Sequence, residues 1–363
     1  MLKAQDLQGA TGNGCDVWGP SQAFLGQNGA AANPRRRWGI VLSGGEGQRM
    51  QPLISDWLGE DRPKQYCTFV GSRSMLQHTV DRACAVVNPK NVLTIIGEGH
   101  RRHLADAVNR PLPGRVIEQP RDAGTAAGVF LPATYALLED PDATLVLFPS
   151  DHFVHPEAAF CQLARRAAEL AEACRDRIVL VGAVPDGPET DYGWIGPAAG
   201  GRASNAGAVP PGAMGVTSFL EKPEPAEARL FWREGYLWNT MVVAVRASTL
   251  WELGRRHLPE MLSSFDALLM VLRSIRRGLF DPKCEPAVLA RLYEHLTPAD
   301  FSRDLLQHVA NECMMLPMQG VDWSDWGRPD RVTTALARLG RLPLFSERGL
   351  RTDKHRLQPA QVR

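Results

Sequence analysis

Trp38-Gly39-Ile40-Val41-Leu42-Ser43-Gly44-Gly45-Glu46-Gly47-Gln48-Arg49 is the stretch on which the fold turns. Five apolar residues, Trp38 to Leu42, have the length of a strand buried on both faces, and they run directly into a turn carrying three glycines. The same kind of short apolar run recurs at 92–96, 144–148, 178–184, 216–220 and 241–245. Between these runs lie helical patterns at 74–86, 100–108, 124–138, 157–175, 225–234 and much of 248–277. Strands alternating with helices predict an α/β fold: a Rossmann-like mixed, mostly parallel sheet with helices on both faces.

In such sheets ligands bind beyond the carboxyl ends of the strands, where loops converge and helix amino termini point into a crevice. The loop after the first run is therefore the first place to look. Glycines at 44, 45 and 47 let the backbone approach a polyphosphate and turn its N–H groups toward it. The loop is not a P-loop, because it closes on Gly47-Gln48-Arg49 and lacks Gly-Lys-Ser/Thr. It also fails the dinucleotide fingerprint, which needs a glycine where Met50 stands. A plain strand-to-helix connection is the default reading of a glycine turn; Arg49 shifts the balance, since a guanidinium can grip phosphate oxygens bidentately. Arg62-Pro63-Lys64-Gln65-Tyr66 follows, and Lys64 alone would pass for a surface lysine.

Composition sets the outer limits. The chain has 363 residues, long enough for a large core, and 41 Lys+Arg against 40 Asp+Glu leave a net charge of +1. That balance disfavours nucleic-acid coating, which relies on a basic surface. No run approaches the ~18 to 20 apolar residues of a membrane span, and the amino terminus lacks an apolar signal core, so a cytoplasmic protein without membrane partners is expected. Seven cysteines are scattered without C-x-x-C or zinc spacing and read as free thiols. Residues 1–37 read as a loosely packed extension and 38–340 as one catalytic domain. Residues 341–363 read as a polar tail. Arg35 to Arg37 read as a solvated charge run, and 196–215 as a mobile loop joining two strands.

Gly44-Gly45-x-Gly47-x-Arg49-x-x-Pro52-Leu53, followed by Pro63-Lys64-Gln65-Tyr66, resembles the signature of sugar-1-phosphate nucleotidyltransferases, especially mannose-1-phosphate guanylyltransferases. Further blocks follow in order. Glu118-Gln119-Pro120 with Gly124-Thr125-Ala126-Ala127 is similar to the family's nucleotide-binding segment. Pro149-Ser150-Asp151-His152 is similar to P-S-D-H, whose aspartate binds magnesium, and Tyr192-Gly193 falls in a stretch similar to P-E-T-G-Y-G-Y-I at the sugar pocket. Phe219-Leu220-Glu221-Lys222-Pro223 matches F-x-E-K-P, Trp238-Asn239-Thr240 resembles W-N-S, and Trp323-Ser324-Asp325-Trp326-Gly327 resembles W-S-D-V-G.

The resemblance implies Arg49, Lys64 and Asp151 as catalytic residues. It implies nucleotide contacts from Leu42, Ser43, Gly44, Gly45, Gly47, Gln119, Gly124 and Thr125, and sugar-phosphate contacts from Tyr192, Gly193, Glu221, Lys222 and Asn239. Mg²⁺ would be held by Asp151 and Asp325. The substrates would be a nucleoside triphosphate, GTP first, and a hexose-1-phosphate, mannose-1-phosphate first; a homodimer is compatible with it. No counterpart of the family's additional carboxy-terminal β-helix or cupin domain is expected in the residues after Gly340.

Singly, each fragment has a plain explanation: Asp151 as a helix cap, Asp325 as a turn residue, Tyr192-Gly193 as a hairpin. His152 and His155, without a third ligand at suitable spacing, read as non-ligands. Several positions depart from the pattern. Gln119, Gly124 and Gly128 leave the base open between guanine, adenine and uracil. Met241 stands where glycine is usual, and Asp191 replaces a glycine with a residue that tolerates left-handed turns. A non-catalytic nucleotide-sugar sensor, an NAD-dependent oxidoreductase and a glycosyltransferase are the rival readings. Intact Arg49, Lys64, Asp151 and Asp325 weigh against the first, Met50 against the second, and the Arg49 loop with Lys64 against the third.

Overall fold

The structure, a computed structural model, describes residues 36–198 and 209–345. Its strands are β1 (Arg37–Ser43), β2 (Val92–Ile96), β3 (Arg115–Glu118), β4 (Thr144–Pro149), β5 (Phe153–His155), β6 (Ile178–Ala183), β7 (Gly193–Pro197), β8 (Met214–Glu221), β9 (Leu237–Arg246), β10 (Cys313–Met318) and β11 (Asp322–Ser324). Nine form one sheet in the order β3-β2-β1-β4-β9-β6-β10-β8-β7, and β11 pairs with β5 in a small ribbon. β1 runs parallel to β2 and β4, and β6 parallel to β10, while β9 lies antiparallel between β4 and β6. The sheet is thus the mixed kind expected, parallel through its amino-terminal half.

Helices cover both faces because neighbouring strand residues point to opposite sides. Ile40, Leu145, Leu147 and Leu180 enter a core with the helices at Gly124–Glu139, Ala247–His257 and Pro259–Arg276. Val41, Val146, Phe148 and Val179 enter a second core with the helices at Met75–Val86 and Glu157–Ala173. The helical pattern over 248–277 is broken at Leu258, where Pro259 starts a new helix.

Three terminal and loop readings meet the structure unevenly. Arg37, placed in a solvated charge run, is buried in β1 and reaches Glu172 with Nε and Nη2 at 2.7 and 2.8 Å. Residues 341–345, assigned to the tail, run back over the domain: Leu344 N–H donates to the Phe69 carbonyl, and Phe345 packs against Trp57 and Phe69. The expected loop joins β7 to β8, and its residues 199–208 lie outside the described part.

Candidate functional site

The glycine loop and the Pro63-Lys64-Gln65-Tyr66 segment fold onto one another. Gln65 Nε2 donates to the carbonyls of Ser43 and Gly45 at 3.1 and 2.7 Å, and Tyr66 Oη donates to the Ser43 carbonyl at 3.2 Å. These three bonds fix the backbone of the loop against the Lys64 segment. Gly47 has φ 62 and packs on Lys64, so an added Cβ would lie 3.1 Å from the Lys64 Cβ. At Gly44 a Cβ would come within 2.6 Å of Gln119 Nε2. The positive φ favours glycine at 47, while a side chain at 44 would have to displace the Gln119 amide.

Beyond the loop opens a cleft of about 400 Å³ lined by Leu42, Ser43, Gly44, Gly45, Gln119, Gly124, Thr125 and Asp151. The helix Gly124–Glu139 begins at its wall. Thr125 Oγ1 accepts from the Phe301 N–H at 2.8 Å, and Gln119 Oε1 accepts from Tyr293 Oη at 3.2 Å. Met241 also faces this cleft, on a bulge of β9 with φ 56; its N–H donates to Asn239 Oδ1 and its sulfur accepts from Ser302 Oγ.

Lys64 is buried at the cleft's inner end, with Nζ 3.0 Å from Asp151 Oδ2 and donating to the Asp325 main-chain carbonyl. Burial pushes the Asp151 carboxyl up, but the Lys64 charge prevails and holds it below the usual carboxylate range. Asp325 points its side chain the other way. Oδ1 accepts from Tyr192 Oη at 2.9 Å, the Gly327 N–H at 2.9 Å and Arg331 Nη1 at 2.8 Å, and Oδ2 accepts from Arg49 Nη2 at 2.9 Å. Burial again opposes ionisation, and Lys64 with Arg331 overcomes it, so Asp325 too is held below the usual range.

On the β7–β8 side, Gly193 leaves room for Glu221: a Cβ there would stand 2.5 Å from Oε2. Burial and the nearby Asp300 push Glu221 up to about 7. Lys222 takes φ 51 and donates its N–H to the Tyr192 carbonyl.

The Nucleotidyl transferase family matches residues 38–340. The chain belongs to this family. It is 34% identical over 223 residues to the xanthan biosynthesis protein XanB of Xanthomonas campestris pv. campestris (strain B100), covering 61% of this chain and 44% of that protein. It is 31% identical over 294 residues to the mannose-1-phosphate guanylyltransferase of Escherichia coli (strain K12), covering 79% and 57%. A crystal structure described as mannose-1-phosphate geranyltransferase from Thermus thermophilus superposes with a TM-score of 0.67 at 27% identity, covering 84% of this chain and 79% of that one. The chain spans about half the length of the curated relatives it matches.

In this family member, Tyr192 Oη donates to Asp325 Oδ1 and the Arg331 guanidinium lies 4.6 Å above its ring. Asp191 does not use a left-handed backbone; its carboxylate instead meets Arg331 and Arg49 at 2.9 and 3.3 Å. Among the described residues other than glycine, left-handed φ falls at Lys222, Met241 and Trp326. Arg331, Asp122 and Asp300 are site residues outside the sequence motifs, and Gln65 and Glu189 lie inside motifs that assign them no role.

Among the described residues no group of three or more His, Cys, Asp or Glu could hold a metal ion unaided. Mg²⁺ does not require such a cage, since it keeps several waters and commonly takes one or two carboxylates plus substrate phosphates. Asp151 fits that demand: it lines the cleft just after β4, and its Oδ1 lies 3.6 Å from His152 Nε2, beyond hydrogen-bonding distance. Asp325 Oδ2 has one partner, Arg49, and so retains acceptor capacity.

Proposed function

We propose that the chain transfers a nucleotidyl group from a nucleoside triphosphate, GTP first, to a hexose-1-phosphate, mannose-1-phosphate first, releasing pyrophosphate. The observation that carries this reading is the meeting of the glycine loop, Lys64 and Asp151 at one end of a nucleotide-sized cleft. Relatives named mannose-1-phosphate guanylyltransferase support the choice of substrates.

The chemistry asks for positioning and charge neutralisation. A sugar-1-phosphate loses its second phosphate proton near pH 6, so its attacking oxygen is largely ionised at neutral pH and needs no nucleophilic side chain or general base. In-line attack on the α-phosphate then requires two polyanions to be held together. The loop from Ser43 to Gly47 lies where the triphosphate would sit, with Arg49 and Lys64 behind it. Gln119, Gly124 and Thr125 line the part of the cleft assigned to the nucleoside. Glu221 would bind sugar hydroxyls, Lys222 the sugar phosphate, and Asn239, which fixes the Met241 backbone, borders the sugar end. Asp151 and Asp325 would hold Mg²⁺, which when bound supplies charge neutralisation on the α-phosphate and pyrophosphate.

An ADP- or UDP-sugar-forming enzyme of the same fold is the second reading, favoured by Gln119, Gly124 and Gly128, which line the cleft at positions that depart from the guanylyltransferase pattern. Pyrophosphate release measured with each nucleoside triphosphate and several hexose-1-phosphates decides between them. Release confined to GTP with mannose-1-phosphate supports the first, and no release from any pair overturns both.

A further inference from the structure

Arg49 and Arg331 close a ring with two carboxylates. Arg49 Nη2 meets Asp325 Oδ2 at 2.9 Å, Asp325 Oδ1 meets Arg331 Nη1 at 2.8 Å, Arg331 Nη2 meets Asp191 Oδ2 at 2.9 Å, and the same Oδ2 meets Arg49 Nη1 at 3.3 Å. Glu189 adds a third acid to Arg331 at 2.7 Å, and Arg328 a third arginine, 3.6 and 3.7 Å from Glu189 and Asp191. Arg328 also meets Asp330 at 3.4 Å, so three guanidiniums face four acids.

The two arginines are held very differently. Arg331 is 9% exposed, with its guanidinium 4.6 Å above the Tyr192 ring, and joins the 189–192 segment to the Asp325 turn and the helix at Pro329–Arg338. Arg49 is 54% exposed and sits at the end of the glycine loop. The two carboxylates take up the Nη1–Nη2 end of the Arg49 guanidinium, and turning that end to a phosphate means leaving them. If it were their main cation, its departure would strand two neighbouring negative charges, one of them buried. Arg331 remains in contact with both when Arg49 goes, so that cost does not fall on substrate binding.

We propose that Arg331 is a positioning residue which holds Asp191 and Asp325 and thereby releases Arg49 to the phosphates of the nucleotide. The inference rests on the nucleotidyl-transfer reading for the identity of the ligand. Without Arg331, Asp191 and Asp325 keep Arg49 for themselves; without Asp191, that competition is relieved.

The test is equilibrium binding of each nucleoside triphosphate to the full chain by calorimetry with no metal added, beside pyrophosphate release. Arg331→Met should raise the Kd of the preferred triphosphate at least tenfold. Adding Asp191→Asn to that variant should return it to within about threefold of wild type, a rescue that loss of structure would not give. Asp191→Asn alone, which serves if Arg331→Met does not fold, should tighten binding about threefold. Unchanged binding in Arg331→Met, no rescue in the double variant, or weaker binding in Asp191→Asn overturns the proposal while wild-type turnover leaves the function standing. A wild type that binds none of the triphosphates overturns both.

Discussion

Lys64 Nζ stands 3.0 Å from Asp151 Oδ2 while donating to the main-chain carbonyl of Asp325. One buried ammonium thus ties the end of β4 to the turn after β11, 261 residues away from Lys64 for the Asp325 contact. Lys64→Met removes that charge from a site where Asp151 is left without its close cation. Steady-state pyrophosphate release should fall by about 10²- to 10³-fold, the loss typical of one preorganised electrostatic group. A variant within fivefold of wild type would place Lys64 outside the chemistry.

Glu221 supplies a pH signature. Its carboxyl, pushed up to about 7 by burial and by Asp300, binds a proton in the folded chain at pH values where the unfolded chain has lost it. Stability therefore falls as pH rises from the ordinary glutamate range through about 7, and the penalty persists above that. Glu221→Gln removes this contribution, so its melting temperature should gain on wild type between pH 5 and pH 8. An identical difference at both pH values would contradict the assignment.

Met241 holds φ 56, a conformation that costs an ordinary L-residue about 1–2 kcal/mol. Met241→Gly regains most of that while adding chain entropy of roughly 0.5–1 kcal/mol. Denaturant unfolding should therefore change by less than about 1 kcal/mol, while the widened cleft accepts a broader set of sugar phosphates. A loss above about 2 kcal/mol, typical of a core truncation, would make Met241 a packing residue instead.

Phe345 lies 5% exposed between Trp57 and Phe69, in the cluster that also holds Trp326, next to Asp325. Phe345→Ala should cost about 3 kcal/mol by denaturant unfolding. A loss below about 1 kcal/mol would show that residues 341–345 contribute little to the fold.

What the sequence made legible was local. The strand from Trp38 to Leu42, its glycine loop and Lys64 lie within 27 residues, and each carries its own signal: an apolar run, a turn chemistry, a proline-held basic segment. Pairings across the chain left no such trace. Asp191 reads as a backbone residue until Arg331, 140 positions on, is brought to it by the helix after the Asp325 turn. β10 went unmarked because Pro317 interrupts its apolar run, although it pairs with β6 along its whole length. Helix Pro329–Arg338 has its apolar residues spaced among arginines and threonines, and it carries Arg331, the residue on which the ion ring depends.

Pyrophosphate release from GTP and mannose-1-phosphate with Mg²⁺, run within a matrix of four nucleoside triphosphates and several hexose-1-phosphates, tests the central claim most directly. The account predicts one strong pair in the wild type, with turnover nearly abolished in Asp151→Asn. Silence across the whole matrix, or full activity in Asp151→Asn, would contradict it.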